Sequence, residues 1–333
     1  MHDIVISRRI KRALILLIIV VTLLTTIYLH KYKRKYEFEN SSLGDYAMTV
    51  KIRDRLGNNM FQYASLLGIA YESSVRKPDI YLVDDAVLWK YFKISKARSI
   101  SRWLYDSWLM YGDTTYKEHC CQYSREHFLL PKKGTLLLDG YFQSWRYFSY
   151  MADVIRQEFR FVDNIDKNAA DFIQNSVAKI EAGPSSSQPY TYIGVHVRRG
   201  DIMNKRWTNR GMKTAGRDYF HRAFEIMKRK YNNIVFVVCS NDIVWCKNNV
   251  GLADRTIYSE GHDQITDMAI LSKCNHTILT TGSFGFFSAF LANGTTIYYG
   301  SARKKYSWAD VMFKYEDFFM PNWIKLSDKE VTV

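Results

Sequence analysis

Hydrophobic and polar positions change period several times along this chain. Ala13 to Leu29 is an unbroken run of 17 residues without a charge, at the short end of what spans a bilayer. Thr49-Val50-Lys51-Ile52-Arg53 alternates and predicts a strand. A turn at Asp54–Asn59 follows, and then Met60, Tyr63, Ala64, Leu67 and Ala70 recur at helical spacing. Leu136-Leu137-Leu138-Asp139-Gly140 predicts an apolar strand ending at a glycine, whereas the aromatic stretch Trp89 to Trp108 has no period that assigns it. Ala182-Gly183-Pro184-Ser185-Ser186-Ser187-Gln188-Pro189 is small, polar and broken by two prolines, hence a linker or exposed loop.

Beyond it the pattern becomes regular. Strands are expected at Tyr192–Val197, Ile234–Cys239, Thr256–Tyr258, Thr277–Thr281 and Thr296–Tyr299. Helices are expected between them at Asp218–Tyr231, Ile243–Asn249, Gln264–Cys274 and Phe284–Ala292. Buried Ile/Val/Phe strands alternating with helices imply an α/β fold whose parallel sheet is covered on both faces. In such sheets ligands bind beyond the carboxyl ends of the strands.

The net charge of +14 would suit a nucleic-acid partner, but half of it lies in residues 1–35, where eight cations face only Asp3 and flank the apolar run. That half belongs to a membrane anchor. What remains is a mildly basic body suited to anionic small molecules, and no basic–aromatic motif supports nucleic-acid binding. No small-residue cleavage site stands before the cluster at Lys31, so an uncleaved anchor is expected rather than a signal peptide. Four cations on each side leave its orientation tied. The short span fits the thinner membranes of the early secretory pathway. Three N-glycosylation sequons begin at Asn40, Asn275 and Asn293. Five cysteines show no metal spacing; in an oxidising lumen they would allow one or two disulfides and leave at least one thiol unpaired.

Candidate chemistry gathers at predicted strand ends. His196 and Arg198, two apart, point to one side of their strand, and Gly200 lets the chain turn. Two guanidinium forks, Arg198 and Arg199, make a candidate diphosphate clamp, since each offers planar paired donors to phosphate oxygens. Thr280-Thr281-Gly282-Ser283-Phe284-Gly285 joins a strand to a helix, whose N-terminal amides favour an anion. Asp267, on the preceding helix, has a carboxylate able to accept from a guanine edge. The chain has no Asp-x-Asp element, P-loop or serine-hydrolase elbow. Arginine and helix dipole can stabilise a leaving diphosphate without a metal.

His196-Val197-Arg198-Arg199-Gly200-Asp201 resembles the His-x-Arg-Arg-x-Asp motif of the galactoside alpha-1,2-fucosyltransferases, glycosyltransferase family 11. Four further stretches carry the same likeness: Arg55–Ala64, Gly140–Trp145, Phe236–Asn241 with Trp245-Cys246, and Cys274–Gly285. The resemblance runs in order over about residues 48–325. It implies a GT-B-like architecture of two Rossmann-like halves facing a cleft, preceded by an N-terminal transmembrane helix. The corresponding division is a cytoplasmic tail 1–12, signal-anchor 13–29, stem 30–47, an acceptor-side domain 48–182 and a donor domain 190–325. It further implies a single-pass type II protein of the Golgi membrane with a luminal body. The implied donor is GDP-L-fucose and the implied acceptor a terminal beta-galactoside, with no cofactor and no metal. His196 and Asp267 would address guanosine. Arg198, with Ser283 and the Phe284 and Gly285 amides, would grip the diphosphate, while Gly57 and Asn58 approach from the other half. Asp54 and Asn59 depart from the family's Gly-Arg-Leu-Gly-Asn-Gln block, and Asp54 would put a carboxylate near the diphosphate. In the implied inverting displacement Asp201 is the nearest candidate general base, or else orients Arg198. A catalytically silent lectin and another linkage specificity are the alternatives. Oligomeric state and acceptor chain type stay open, the latter assigned to loops around 85–130 and 202–216.

Overall fold

Arg8–Glu39 form one continuous helix, as expected for a long Leu/Ile/Val run without glycine or proline. Its apolar side chains from Leu14 to Leu29 are exposed, and it is long and apolar enough to cross a membrane. This is a computed structural model that describes residues 8–72, 76–118, 121–180, 189–250 and 255–328. Most of the linker, residues 182–188, and the start of the tail lie outside them.

The expected stem is not a separate stretch. Residues 30–39 continue the helix, supported by the spaced pairs Lys33–Glu37 at 3.8 Å and Lys35–Glu39 at 3.6 Å. Phe38 is already buried against Trp108. The chain enters the first sheet at Tyr46, so stem residues 46 and 47 belong to the body.

Strands β1 (Tyr46–Val50), β2 (Asp79–Val83), β3 (Arg98–Ile100), β4 (Thr114–Lys117) and β5 (Gly134–Asp139) form a parallel sheet in the order β3-β2-β1-β5-β4. The expected strand at 49–53 thus starts three residues earlier. All five β1 residues are buried because helices cover both faces, so alternation was the wrong pattern to seek there. The aromatic stretch resolves into a short helix Val87–Tyr91, strand β3 and the helix Arg102–Tyr111.

Strands β6 (Thr191–Val197), β7 (Ile234–Ser240), β8 (Thr256–Tyr258), β9 (His276–Leu279), β10 (Thr296–Tyr299) and β11 (Ile324–Leu326) form a second parallel sheet, ordered β11-β10-β9-β6-β7-β8. The regular half was read within two residues, except that β11, rather than β10, closes the sheet. The architecture is α/β with two parallel sheets whose carboxyl ends converge on one cavity.

The halves are not separable at residues 182–190. The Asp163–Ile180 helix packs on the Gln264–Ser272 helix of the second half, with Lys273 to Asp166 at 2.8 Å and Phe172 edge-on to His262 at 4.9 Å. The C-terminal segment returns to the first half. Asp317 accepts from the Tyr123 amide and Arg146, both at 3.0 Å, and its carbonyl accepts from Ser144 at 2.6 Å. Phe61 of the Leu56–Glu72 helix meets Phe286, Phe287 and Phe318 at 4.6, 4.8 and 5.4 Å, so one aromatic core runs through both halves.

Cys239, Cys246 and Cys274 are buried free thiols, so the one or two disulfides that an oxidising lumen would allow do not join these three. Cys120 lies outside the described residues.

Candidate active site

A cavity of about 400 Å³ opens between the two sheets. The second half supplies His196 and Arg198 from the end of β6, Asp267 from the Gln264–Ser272 helix, and Ser283 and Phe284 from the start of the Ser283–Ala292 helix. The first half supplies Arg55, Gly57 and Asn58, where the turn after β1 becomes a helix.

His196 and Arg198 share the cavity side, as their spacing requires. Arg198 donates through Nε to Asp201 Oδ1 at 3.2 Å and through Nη2 to Oδ2 at 2.9 Å. Its amide donates to Thr280 Oγ1 at 3.0 Å. Opposite it, Gly282 adopts φ 95, which favours glycine, and a Cβ there would lie 2.5 Å from Arg198 Nη1.

Arg199 does not join a clamp. Its guanidinium stacks 3.8 Å over the Trp245 ring, Nε reaches Asp242 at 3.4 Å, and the side chain is buried away from the cavity. As the next residue along an extended chain it faces the other way. The second cavity arginine is Arg55, from the other half, whose Nη1 lies 3.2 Å from Asp201 Oδ2.

Asp201 is therefore an arginine partner. Partial burial pushes its carboxyl up, but hydrogen bonding and charge from Arg198, then the charge of Arg55, outweigh this and hold it below the ordinary carboxylate range. Such a carboxylate is a poor proton acceptor. Of the two expectations for Asp201, the geometry favours orienting Arg198 over a general base.

Burial, then the Arg198 charge, lowers the His196 pKa to about 3. The ring is neutral at any physiological pH. Its Nδ1 is buried without a partner, and the ring lies 5.2 Å from that of Phe284. Gly285 does not face the cavity; a Cβ there would stand 2.5 Å from His196 Nδ1, so the glycine makes room for the imidazole.

Elsewhere in the cavity lining, burial raises Asp267 to about 6, against the hydrogen bond from Ser259. Ser259 Oγ donates to Asp267 Oδ1 at 2.6 Å and lies 2.8 Å from His262 Nδ1. Because the hydroxyl proton is committed to Asp267, His262 must donate from Nδ1.

The two halves touch within the cavity lining. A Cβ on Gly57 would lie 2.5 Å from the Phe284 nitrogen and 2.8 Å from Ser283 Oγ. Ser283 Oγ donates to Asn58 Oδ1, as does Gln143 Nε2, each at 2.7 Å. The departures from the family block are accommodated outside the cavity. Asp54 sits at φ 64, where a glycine is most at ease and an aspartate is tolerated, and its carboxylate accepts from Tyr141. Asn59 is buried and donates to the Arg53 carbonyl at 2.8 Å.

Residues 12–327 match the sequence profile of glycosyl transferase family 11. The chain belongs to that family. Galactoside alpha-(1,2)-fucosyltransferase 1 of Mus musculus is 31% identical over 302 residues, covering 87% of this chain and 75% of that protein. Its Homo sapiens counterpart is 32% identical, covering 84% and 74%. Among solved structures, a mutant of Arabidopsis thaliana FUT1 in complex with GDP aligns over 80% of this chain and 74% of that one. The TM-score is 0.51 at 10% identity, a likeness of fold.

Several cavity residues of this family 11 chain escaped the sequence reading as site residues, among them Arg55, His262 and Gln264. Arg55 stood inside a quoted block, and its place at a strand-to-helix turn was the available signal. His262 and Gln264 lie in and just after a loop between β8 and a helix, where no period marks them. The three sequon asparagines are all exposed. Asn275 Oδ1 accepts from the Tyr192 amide at 2.8 Å, and Asn293 Oδ1 accepts from Arg156 at 2.7 Å.

Proposed function

We propose that this protein transfers L-fucose from GDP-beta-L-fucose to the 2-hydroxyl of a terminal beta-galactoside, with inversion, as a single-pass type II protein of the Golgi membrane. Family membership and the alpha-(1,2)-fucosyltransferase relatives support fucosyl transfer. One observation carries the donor assignment. The cavity lining combines the partly buried carboxylate of Asp267 with the cations of Arg198 and Arg55. A guanine presents two adjacent N–H donors to a carboxylate, whereas adenine and uracil each set an acceptor beside a donor. A diphosphate suits the arginines and the free amides at the start of the Ser283–Ala292 helix.

In this reading the acceptor hydroxyl attacks the fucose anomeric carbon as the bond to the GDP oxygen breaks, and the hydroxyl proton passes to water or to the departing GDP. Charge grows on the diphosphate, where Arg198, held by Asp201, meets it. Ser283 Oγ and the Phe284 amide flank the same point, locked to the first half through Asn58. No metal is assigned a role.

The test incubates the full-length protein in detergent with GDP-fucose and a panel of galactosides, with a chelator throughout, and determines the product linkage by NMR. An alpha-1,2-linked product is expected. Tight galactoside binding without turnover would identify a lectin instead, and chelator-dependent loss of transfer would overturn the metal-free reading.

A further inference from the structure

Residues 140–144 follow β5, and side chains from other elements fix them. The Gly140 carbonyl accepts from Gln62 Nε2 at 2.9 Å, and the Phe142 carbonyl accepts from Ser65 Oγ at 2.9 Å. Glu118 Oε2 accepts from the Tyr141 and Phe142 amides at 2.8 and 2.6 Å. Phe142 is held at φ 50, a conformation that a bulky residue seldom adopts. Its buried ring lies edge-on to His127 and Tyr147 at 5.1 and 5.7 Å. A strained backbone persists only where its surroundings over-determine it, as these contacts do here. The outcome is one amide aimed at the site: Gln143 Nε2 donates to Asn58 Oδ1 at 2.7 Å. Gln143 is half-buried and stands behind the cavity lining, whereas Asn58 and Ser283 belong to it.

Asn58 Oδ1 thus receives two donors, Gln143 Nε2 and Ser283 Oγ, each at 2.7 Å. A serine hydroxyl has one proton and two lone pairs. While that proton points at Asn58, Ser283 offers the cavity only lone pairs, which repel phosphate oxygens. To donate to a diphosphate, the O–H must rotate about the Cβ–Oγ bond, away from Asn58; no covalent bond forms or breaks. The rotation is cheap only if Asn58 keeps a partner, because a desolvated acceptor stripped of its donors is costly. Gln143 supplies the donor that remains. It also keeps Asn58, at the start of one half's helix, in place against the helix start of the other half.

We propose that Gln143 is a positioning residue for donor binding: it holds Asn58 so that Ser283 can turn its hydroxyl from Asn58 to the diphosphate. This rests on the reading of the cavity as the GDP-fucose site. Gln143 lies outside the cavity lining and acts through Asn58. Without its N–H, Asn58 depends on Ser283, the hydroxyl stays where it is, and the diphosphate loses one charge-assisted hydrogen bond.

The test measures GDP affinity by isothermal titration, on full-length protein in detergent, for Gln143→Met, Ser283→Ala and the double variant. Methionine keeps the length of glutamine and removes the N–H. Gln143→Met alone should raise the GDP dissociation constant about tenfold, the low end for a hydrogen bond to a charged group. The KM for GDP-fucose should rise with it, and the KM for the galactoside should not. In the Ser283→Ala background the same substitution should change GDP affinity by less than about twofold, because no hydroxyl remains to be redirected. Gln143→Asn, one methylene short of Asn58, should repeat the loss, and it stands in should the methionine variant not fold. Equal losses in both backgrounds would overturn the proposal, since general loosening of residues 140–144 does not depend on Ser283. Unchanged affinity in the single Gln143 variants would overturn it as well. Wild-type protein that binds GDP but transfers no fucose would overturn the transfer reading alone, with the coupling still read from GDP affinity. Wild-type protein that binds no GDP would overturn both.

Discussion

Asp267 titrates near neutrality, and this makes its role measurable. Its pKa of about 6 comes from burial. A guanine edge donates protons to the charged form, so donor binding needs Asp267 ionised. The dissociation constant for GDP should rise as pH falls through about 6, by up to tenfold per unit once the carboxyl is protonated; isothermal titration from pH 7.5 to 4.5 measures it. Asp267→Asn should remove that dependence and weaken GDP by roughly 10- to 100-fold, the worth of hydrogen bonds to a charged group. His196 cannot supply the same slope, because with a pKa near 3 it stays neutral throughout. Arg198→Ala should cost on the order of 10²–10³ in turnover. Asp201→Asn should lower kcat/KM while leaving the shape of the pH–rate profile intact, since an orienting carboxylate adds no ionisation of its own there. Glu118 offers a stability test. Burial lifts it to about 7, against the amides of Phe142 and Tyr141 that donate to it. The folded state thus holds this proton more tightly than the unfolded chain. Stability from Glu118 is present below pH 4.5 and is lost as pH rises through about 7. Glu118→Gln should flatten that limb of a melting temperature–pH series.

At the scale of elements, the decisive contact is the start of one helix against the start of another. The Leu56–Glu72 helix approaches the Ser283–Ala292 helix so closely that only a hydrogen fits at Gly57. Gly57→Ala must push the Phe284 amide and Ser283 Oγ out of place. A displacement near 1 Å at a site that positions reactants costs on the order of 10² in rate, so steady-state kinetics should show that loss with only a small change in melting temperature. The turn before this helix also explains a substitution. Asp54 occupies a left-handed position where the resembled family carries glycine, and its side chain is spent on Tyr141 rather than aimed at the diphosphate.

For the whole molecule, two sheets do not mean two folding units. Phe61, Phe286, Phe287 and Phe318 interlock, one helix of the first half packs on the second, and the C-terminal segment crosses back. Calorimetry should give one cooperative transition. Phe61→Ala, which empties the centre of the shared core, should destabilise the whole by about 3–5 kcal/mol; two separable transitions would contradict the shared core.

Some of this was legible in the order of residues. The second sheet's strands were readable because both faces of each are buried and each run is bounded by a helix of clear period. The His196/Arg198 side was readable because a strand alternates every residue, and the apolar anchor because its 17 uncharged residues hold no glycine or proline and are flanked by cations on both sides. What the chain order could not contain was pairing between distant segments. Arg199 and Arg198 look alike in sequence, yet only the fold puts Trp245 under one and the cavity beside the other. Asp201 gained a second arginine beside its neighbour Arg198 because Arg55, 146 positions away, folds onto it. The stem became part of the anchor helix because Phe38 finds Trp108. Sequence by itself determined the elements and the chemistry each could offer, since local period and residue type are local properties. Tertiary structure alone decided which groups meet, since burial, charge pairing and the space a glycine leaves depend on what arrives from elsewhere in the chain.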